Sequence, residues 1–303
     1  MNSDARYARL TANLCGFAAA LMLLVLSTSA FIRIEHNGCT NIAFPATLTL
    51  MSRVMHRVSA SSVGLLLIAI SFFVLRCRPV VRSRNVLLAL LWVLTIFLAV
   101  LGRFTSGSVV PAVVIGNVVG GMALMALFWR LRLEFVPRES YQRPERALSK
   151  LASTARSVAA FQVWIGSWVA GLIAEIDCKA LASPGKLALW PDVATWKALN
   201  PTRIYSTGNA DLLQAVNWLS AAHVAVALVL LATVVMLCLR LRHSAGGLNR
   251  TAPVLLALLA LQLLLGMATI IAGRAVLIGV MHNIVAALLL VKLIDVDYRL
   301  HRS

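Results

Sequence analysis

Long apolar segments alternate with short polar segments along the whole chain. Eight of the apolar segments run for 18 to 26 residues, and a helix that crosses a membrane needs about 20. The first segment lacks a clear small-residue cleavage site and seven others follow it, so we do not interpret it as a removable signal. The pattern predicts eight transmembrane helices, at 11–31, 50–75, 85–102, 109–129, 157–174, 214–239, 253–272 and 275–294.

The composition agrees with this pattern. Hydrophobic residues make up 60% of the 303 positions and charged residues only 13%. A soluble chain of this length could not bury so much apolar side-chain surface. We therefore predict an all-α integral membrane protein.

The basic residues predict the orientation of the helices. With the N-terminus inside, 19 of the 28 Lys and Arg residues fall in inside segments. This bias places both termini in the cytoplasm, and we expect a multi-pass protein of the bacterial inner membrane. The net charge of +17 is then explained by arginines that face anionic lipid headgroups. Membrane lipids are the expected partners, and nucleic acid is not.

The spans fall into two halves of four helices with the same order of parts. In each half, a span and a large outer loop are followed by a span with a histidine near its outer end, and then by a tight helical hairpin. The closing spans also match, as LGRFTSG at 101–107 with LGMATIIAG at 265–273, and GNVVGGMALM at 116–125 with HNIVAALLLV at 282–291. We predict two pseudo-symmetric four-helix bundles, with chance similarity between Leu- and Ala-rich spans as the alternative. The predicted units are a first half at 1–129, a basic cytoplasmic linker at 130–156 and a second half at 157–303.

Two histidines of the second half lie inside apolar segments at matching depth. His223 is nine residues into its segment, and His282 is eight residues beyond Arg274. Both rings are therefore about 12 Å below the outer face, a depth at which polar groups are costly and usually functional. Two imidazoles on two helices can bind a metal from opposite sides, as in bis-histidine heme. The alternative is that each ring bonds to a backbone carbonyl in the bundle.

The first half has one histidine in the corresponding place. His56 precedes His223 by 167 residues, and it is the third candidate metal ligand. The position that corresponds to His282 holds Gly116, followed by Asn117, and neither is a usual heme ligand. The complete pair belongs to the second half.

The five cysteines leave one question open. Cys39 and Cys178 fall in the two large outer loops, which face an oxidising compartment if the protein is bacterial. They form either a disulfide between the halves or two free thiols, because the sequence does not give their separation.

Several segments resemble those of the heme A synthase family. In the second half they are FQVWIGSWVAGLIAEIDC at 161–178, LALWPDVATWKALNP at 187–201, NADLLQAVNWLSAAH at 209–223, LQLLLGMATIIAG at 261–273 and MHN at 281–283. In the first half, weaker likenesses are FIRIEHNGC at 31–39 and MSRVMHRVSASSVG at 51–64. The resemblance covers most of the chain.

The resemblance implies a fold, an activity and a cofactor. The family has a duplicated four-plus-four bundle with one histidine pair per half. Its second-half pair holds a permanent heme b, which implies iron ligation here by His223 and His282. Its first half takes heme O and oxidises the C8 methyl group to a formyl group, which gives heme A for cytochrome c oxidase. The implied partners are a heme O-producing enzyme and the assembly machinery of a terminal oxidase.

The first half departs from the family pattern where chemistry is expected. The family has a Glu three residues before the first-half His, and this chain has Arg53 there. His56 and Glu35 are the candidate catalytic residues, although Glu35 is alternatively a solvated loop residue. Arg57, beside His56, either extends to the membrane surface or pairs with a heme propionate.

Two functions fit these observations. The first is a membrane oxidoreductase of the heme A synthase type. The second is a non-catalytic relative, either a b-type membrane cytochrome or a heme-handling assembly factor, and the first-half departures favour it. A transporter is disfavoured because no pair of spans is broken by Gly or Pro at the midplane and no acidic residue lies there. The oligomeric state is left open, a homo-oligomer included.

Overall fold

The computed structural model describes most of the chain in ten stretches. They are residues 3–36, 44–77, 79–105, 110–136, 146–174, 176, 190–203, 210–242, 248–271 and 275–302. Cys39, Cys178 and Arg274 lie outside them, and so does the middle of the predicted linker at 130–156.

All regular structure in these stretches is helical. A short 3₁₀ turn at Leu248–Arg250 precedes α8. The α-helices are α1 (Ser3–His36), α2 (Ala46–Arg76), α3 (Arg82–Thr105), α4 (Pro111–Leu133), α5 (Arg146–Ile173), α6 (Val193–Ala198), α7 (Ala210–Leu241), α8 (Thr251–Ile271) and α9 (Val276–Arg302).

Seven of the eight predicted spans are confirmed as helices long and apolar enough to cross a membrane. The remaining one, predicted at 157–174, lies in α5, which is long enough but less apolar. Its sequence carries Gln162 and Ser167 within that stretch and Arg156 directly before it. The chain is thus a multi-pass, helical membrane protein, and the crossing by α5 stays a prediction.

The first outer loop is shorter than the sequence suggested. The sequence predicts Glu35 in the loop between the spans at 11–31 and 50–75, but α1 continues to His36 and α2 begins at Ala46. The helix continues because the segment FIRIEH contains neither Gly nor Pro, the residues that most often end a helix. Glu35 is therefore a helical residue.

The long helices contact one another in two rings. In the first ring, α1 and α3 each contact both α2 and α4. In the second ring, α5 and α8 each contact both α7 and α9. The rings meet where α1 contacts α9 and where α4 contacts α5 and α9. We use "outer end" for the end of the molecule at which α1 finishes and α2 begins.

One close contact between the rings bears on the site. A Cβ atom added to Gly279 of α9 would lie 2.7 Å from Cδ1 of Ile34 on α1. Since real Cβ atoms do not approach other heavy atoms so closely, a larger residue at 279 would require the Ile34 side chain to move. The end of α1 is thereby held against α9, one helical turn before His282.

The opposite, inner end is held together by polar contacts. The buried Asp297 of α9 accepts hydrogen bonds from Arg156 and Ser153 of α5. The hydroxyl of Tyr298 donates to the carbonyl of Leu133 at the end of α4, at 3.0 Å. A buried carboxylate needs such hydrogen-bond partners. Together, the contacts of Asp297 and Tyr298 join α4, α5 and α9.

Candidate functional site

His223 of α7 and His282 of α9 line the same cavity, of about 260 Å³. The matched depth predicts that the two imidazoles lie close together, and in the structure both line this one cavity. The walls of the cavity come from both rings of helices. The second ring supplies α5, α7, α8 and α9, while the first supplies Val118 and Met122 of α4 and the end of α1.

A glycine lies beside each imidazole. A Cβ atom on Gly166 of α5 would lie 2.8 Å from Cε1 of His223, and one on Gly266 of α8 would lie 3.3 Å from Cε1 of His282. The first distance excludes any larger residue unless the ring moves, and the second is tight. The two glycines therefore make room for the rings in their present positions.

A glutamine also contacts each imidazole. Nε2 of Gln162 lies 3.2 Å from Nε2 of His223 and donates to that residue's carbonyl at 3.0 Å. Nε2 of Gln262 lies 3.1 Å from Nε2 of His282. Each glutamine precedes the glycine described above by four residues, so both contact the ring from one helix face.

Sequence reasoning missed these glutamines, although a signal was present. The sequence contains Q-V-W-I-G at 162–166 and Q-L-L-L-G at 262–266. The repeated Gln-x-x-x-Gly spacing, one copy for each histidine, would have identified the helices that face the rings.

Several polar atoms at the site have no partner in the part of the chain that the structure describes. They are Nδ1 of His223, Oε1 of Gln162 and Oε1 of Gln262, and all three are buried. A buried polar group without a hydrogen bond costs about 1–3 kcal/mol. Such a cluster of unpaired atoms beside a cavity is a mark of a site built for a ligand.

Arg33 is a third residue that sequence reasoning missed. It lies three residues before the end of α1, and its side chain lines the cavity of the two histidines. Arg33 belongs to the first half, so its presence in a second-half site could not be derived from a pattern within either half.

The third candidate ligand, His56 of α2, lies apart from this cavity. Its Nδ1 is 3.2 Å from the carbonyl oxygen of Val25 and 3.3 Å from the hydroxyl of Thr28, both on α1. A ring that donates from Nδ1 to a carbonyl keeps Nε2 as its basic atom. This is the backbone-bonded arrangement that was the alternative for the buried histidines, and it also orients a potential ligand.

At Gly116, the predicted counterpart of His282, side chains of α3 occupy the neighbouring space. A Cβ atom on Gly116 of α4 would lie 2.7 Å from Cδ2 of Leu101 and 3.7 Å from Cζ of Phe97, both on α3. Leucine and phenylalanine side chains thus lie against the place where the second half presents the His282 ring. A histidine cannot enter there unless α3 side chains give way.

Within the described stretches, the remaining candidates form no hydrogen bond with the His56 ring. Arg53 and Arg57 are exposed on α2. Glu35 accepts a hydrogen bond from Thr49 at 3.2 Å, and Thr49 is seven residues, or about 10 Å along α2, from His56. Cys15, Cys77 and Cys238 are buried cysteines.

The two histidines suit one kind of metal centre. Within the described stretches, no group of three or more His, Cys, Asp and Glu side chains is close enough to hold a metal ion. Two imidazoles are too few for a structural zinc site, which takes four protein ligands. They are the usual axial pair for an iron that a porphyrin already holds in its plane. The walls are mostly apolar, as the surroundings of a macrocycle are, so the chemistry of the residues present is compatible with heme.

Comparisons with known proteins agree with this chemistry. A model of the family described as "Cytochrome oxidase assembly protein" matches residues 46–294. A heme A synthase from Shewanella oneidensis is 29% identical over 259 residues, which cover 82% of this chain and 76% of that protein.

Proposed function

This chain belongs to the cytochrome oxidase assembly protein family, and from that premise we propose that it acts in heme A biosynthesis as an oxidoreductase of the heme A synthase type. The substrate would be heme O, and the product would carry a formyl group in place of the C8 methyl group. The likeness to the Shewanella heme A synthase supports the substrate. The observation that carries the proposal is the cavity that His223 and His282 both line.

We propose that His223 and His282 hold a heme b in this cavity. A heme bound there supplies one-electron transfer, and the protein sets its ligands and surroundings. Gly166 and Gly266 leave space for the two rings. Gln162 and Gln262 rest against the ring nitrogens in this structure, so both side chains must rotate away before iron binds. Rotation frees the space that they occupy, which matters because about 260 Å³ is below the usual range for ligand pockets.

We further propose that the chain forms two pseudo-symmetric four-helix bundles, with α5 as the eighth span. The two rings of contacts support this arrangement. Under it, the first bundle is the place for heme O. His56 is the candidate ligand because its Nδ1 contacts leave Nε2 available, and Arg57 is the candidate partner for a propionate.

A specific observation favours a second function, a heme b protein without oxidase activity. Leu101 lies against Gly116, where a partner for His56 would be needed. Arg53 places a guanidinium where the family resemblance implies a carboxylate. That change reverses a charge and removes a proton acceptor. Such a protein would be a b-type membrane cytochrome or a heme-handling assembly factor.

Heme analysis separates the two functions. The full chain, purified from a heme O-producing cell with no other heme A synthase, would be examined by pyridine hemochrome spectra and chromatography of its hemes. Heme b with heme O or heme A supports the oxidoreductase, whereas heme b alone supports the cytochrome. The absence of heme would overturn both. We expect weak heme A formation, and abundant heme A would transfer the carboxylate role to another residue, with Glu35 the first to test.

The orientation is a further proposal, which the bias of basic residues supports. We propose that both termini are cytoplasmic in a bacterial inner membrane. A periplasm-active reporter fused at Ser183 should then be active, and one fused at Glu139 should be silent. The reverse pattern would overturn the orientation.

A further inference from the structure

A cation without an evident counter-charge faces the cavity of the two histidines. Arg33 lines it, and the described lining contains neither Asp nor Glu. Within the described stretches, no hydrogen bond or ion pair is found for the Arg33 side chain. A partly buried guanidinium in an apolar wall is costly when it is unpaired. A ligand that carries an anionic group would remove that cost.

Arg33 differs in burial from the other basic residues at this end of the molecule. Its side chain is partly buried, whereas the described Arg and Lys residues near the outer ends of the other helices are exposed. Those residues are Arg53, Arg57, Arg103, Lys197 and Arg203. An arginine or lysine side chain that extends toward the membrane surface is expected to be exposed. Arg33 instead points into the site.

The position of Arg33 is fixed by its neighbour in the sequence. Ile34 packs against Gly279, which leaves no space for a Cβ atom at that point. Gly279 is one helical turn before His282 on α9. The contact therefore holds this end of α1 against the cavity that Arg33, His223 and His282 line.

We propose that Arg33 binds a propionate carboxylate of the heme held by His223 and His282. The inference rests on the proposed heme b site and adds an anchor that the first half supplies to it. A guanidinium binds a carboxylate through two parallel hydrogen bonds, and this geometry orients the ligand as well as attracting it. The imidazoles of His223 and His282 would then hold the iron, and Arg33 would set the orientation of the propionates.

The test compares heme b with its dimethyl ester, which keeps the macrocycle and iron but has no carboxylates. The full chain in detergent, stripped of heme, would be titrated with each ligand, and the low-spin Soret band would report binding. The unaltered chain should bind heme b about tenfold more tightly than the ester, the usual weight of a charge-assisted hydrogen bond. Arg33→Gln should weaken heme b binding to the level of the ester and leave ester binding nearly unchanged.

Arg103→Gln is the matched control, because it removes an exposed arginine at the same end. It should keep the tenfold preference for heme b. Arg33→Lys should keep part of it, since an ammonium retains the charge without the paired hydrogen bonds. A wild-type chain that binds both ligands equally would overturn the assignment even if Arg33→Gln does not fold. Equal weakening of both ligands by Arg33→Gln, or loss of the preference in Arg57→Gln alone, would also overturn it. If the wild-type chain shows no low-spin spectrum with either ligand, the heme b site itself is wrong.

Discussion

The two halves treat corresponding positions in opposite ways. In the second half, His223 and His282 line one cavity, and Gly166 and Gly266 leave space for their rings. In the first half, His56 is bonded to the α1 backbone, and Leu101 fills the space beside Gly116. Glycine therefore has two structural roles here. Gly166 leaves space for the imidazole of His223, and Gly116 leaves space for the apolar side chain of Leu101.

This difference teaches that the two positions differ in packing as well as in ligand. A histidine at position 116 would meet Leu101 on the neighbouring helix. Substituting position 116 alone is therefore not expected to create a second histidine site. The predictions below test the contrast between the halves, from the largest effect to the smallest.

The strongest test removes the histidines one at a time. His223→Ala and His282→Ala should each abolish a low-spin heme b spectrum, since a six-coordinate iron needs both rings. His56→Ala is the matched control from the other half and should leave that spectrum largely intact. The contrast fails if the low-spin signal survives the loss of His282.

The next test fills the space beside a ring. Gly166→Ala places a Cβ atom 2.8 Å from His223, and such overpacking costs about 1–3 kcal/mol. We expect heme affinity to fall about tenfold or more in a spectroscopic titration. Gly64→Ala, where the added atom meets nothing within 4 Å, should leave affinity unchanged and raise stability slightly. Equal affinities for the two variants would show that Gly166 does not set the position of the ring.

A third test attempts to open the first half. Gly116→His alone should lower the melting temperature, because the new side chain collides with Leu101. Gly116→His with Leu101→Ala and Arg53→Glu should fold better than the single variant, bind a second heme and raise heme A formation severalfold. Leu101→Ala alone is the control, and it should bind no additional heme. If Gly116→His alone gains a second low-spin heme, Leu101 is not the obstacle.

The smallest effect is expected from a pair of corresponding glycines on α8 and α3. Gly266→Ala brings a Cβ atom to 3.3 Å from His282, so the ring must shift by a few tenths of an ångström. Heme affinity should fall by less than about fivefold, which is under 1 kcal/mol. Gly102→Ala, its repeat counterpart, faces open space and should have no effect. A loss as large as that of Gly166→Ala would mean that His282 is the more rigid ligand.

The sequence predicted the features that depend on one helix at a time. Apolar length identified seven of the spans, and depth below the membrane surface indicated that His223 and His282 lie at one level. Both properties are functions of position along a single helix. Gln162 and Gln262 were also accessible, through their shared spacing to a glycine.

The features that the sequence did not predict depend on contacts between helices. The position of Arg33 in the second-half cavity follows from the packing of Ile34 on Gly279, which joins residues far apart in the chain. The closure at Gly116 follows from the Leu101 side chain on another helix. The helical conformation of Glu35 was not predicted, because charged residues interrupt the apolar segment there and suggest a loop. The sequence nevertheless contains no Gly or Pro that would end the helix at that point.

The shared walls of the histidine cavity make the two halves of the chain interdependent. If each half were self-contained, a change in the first half would leave the cavity of the second half intact. Val118 and Met122, together with the end of α1, instead form part of that cavity. A chain shortened to its second half would therefore leave the cavity open on the side that α1 and α4 now close.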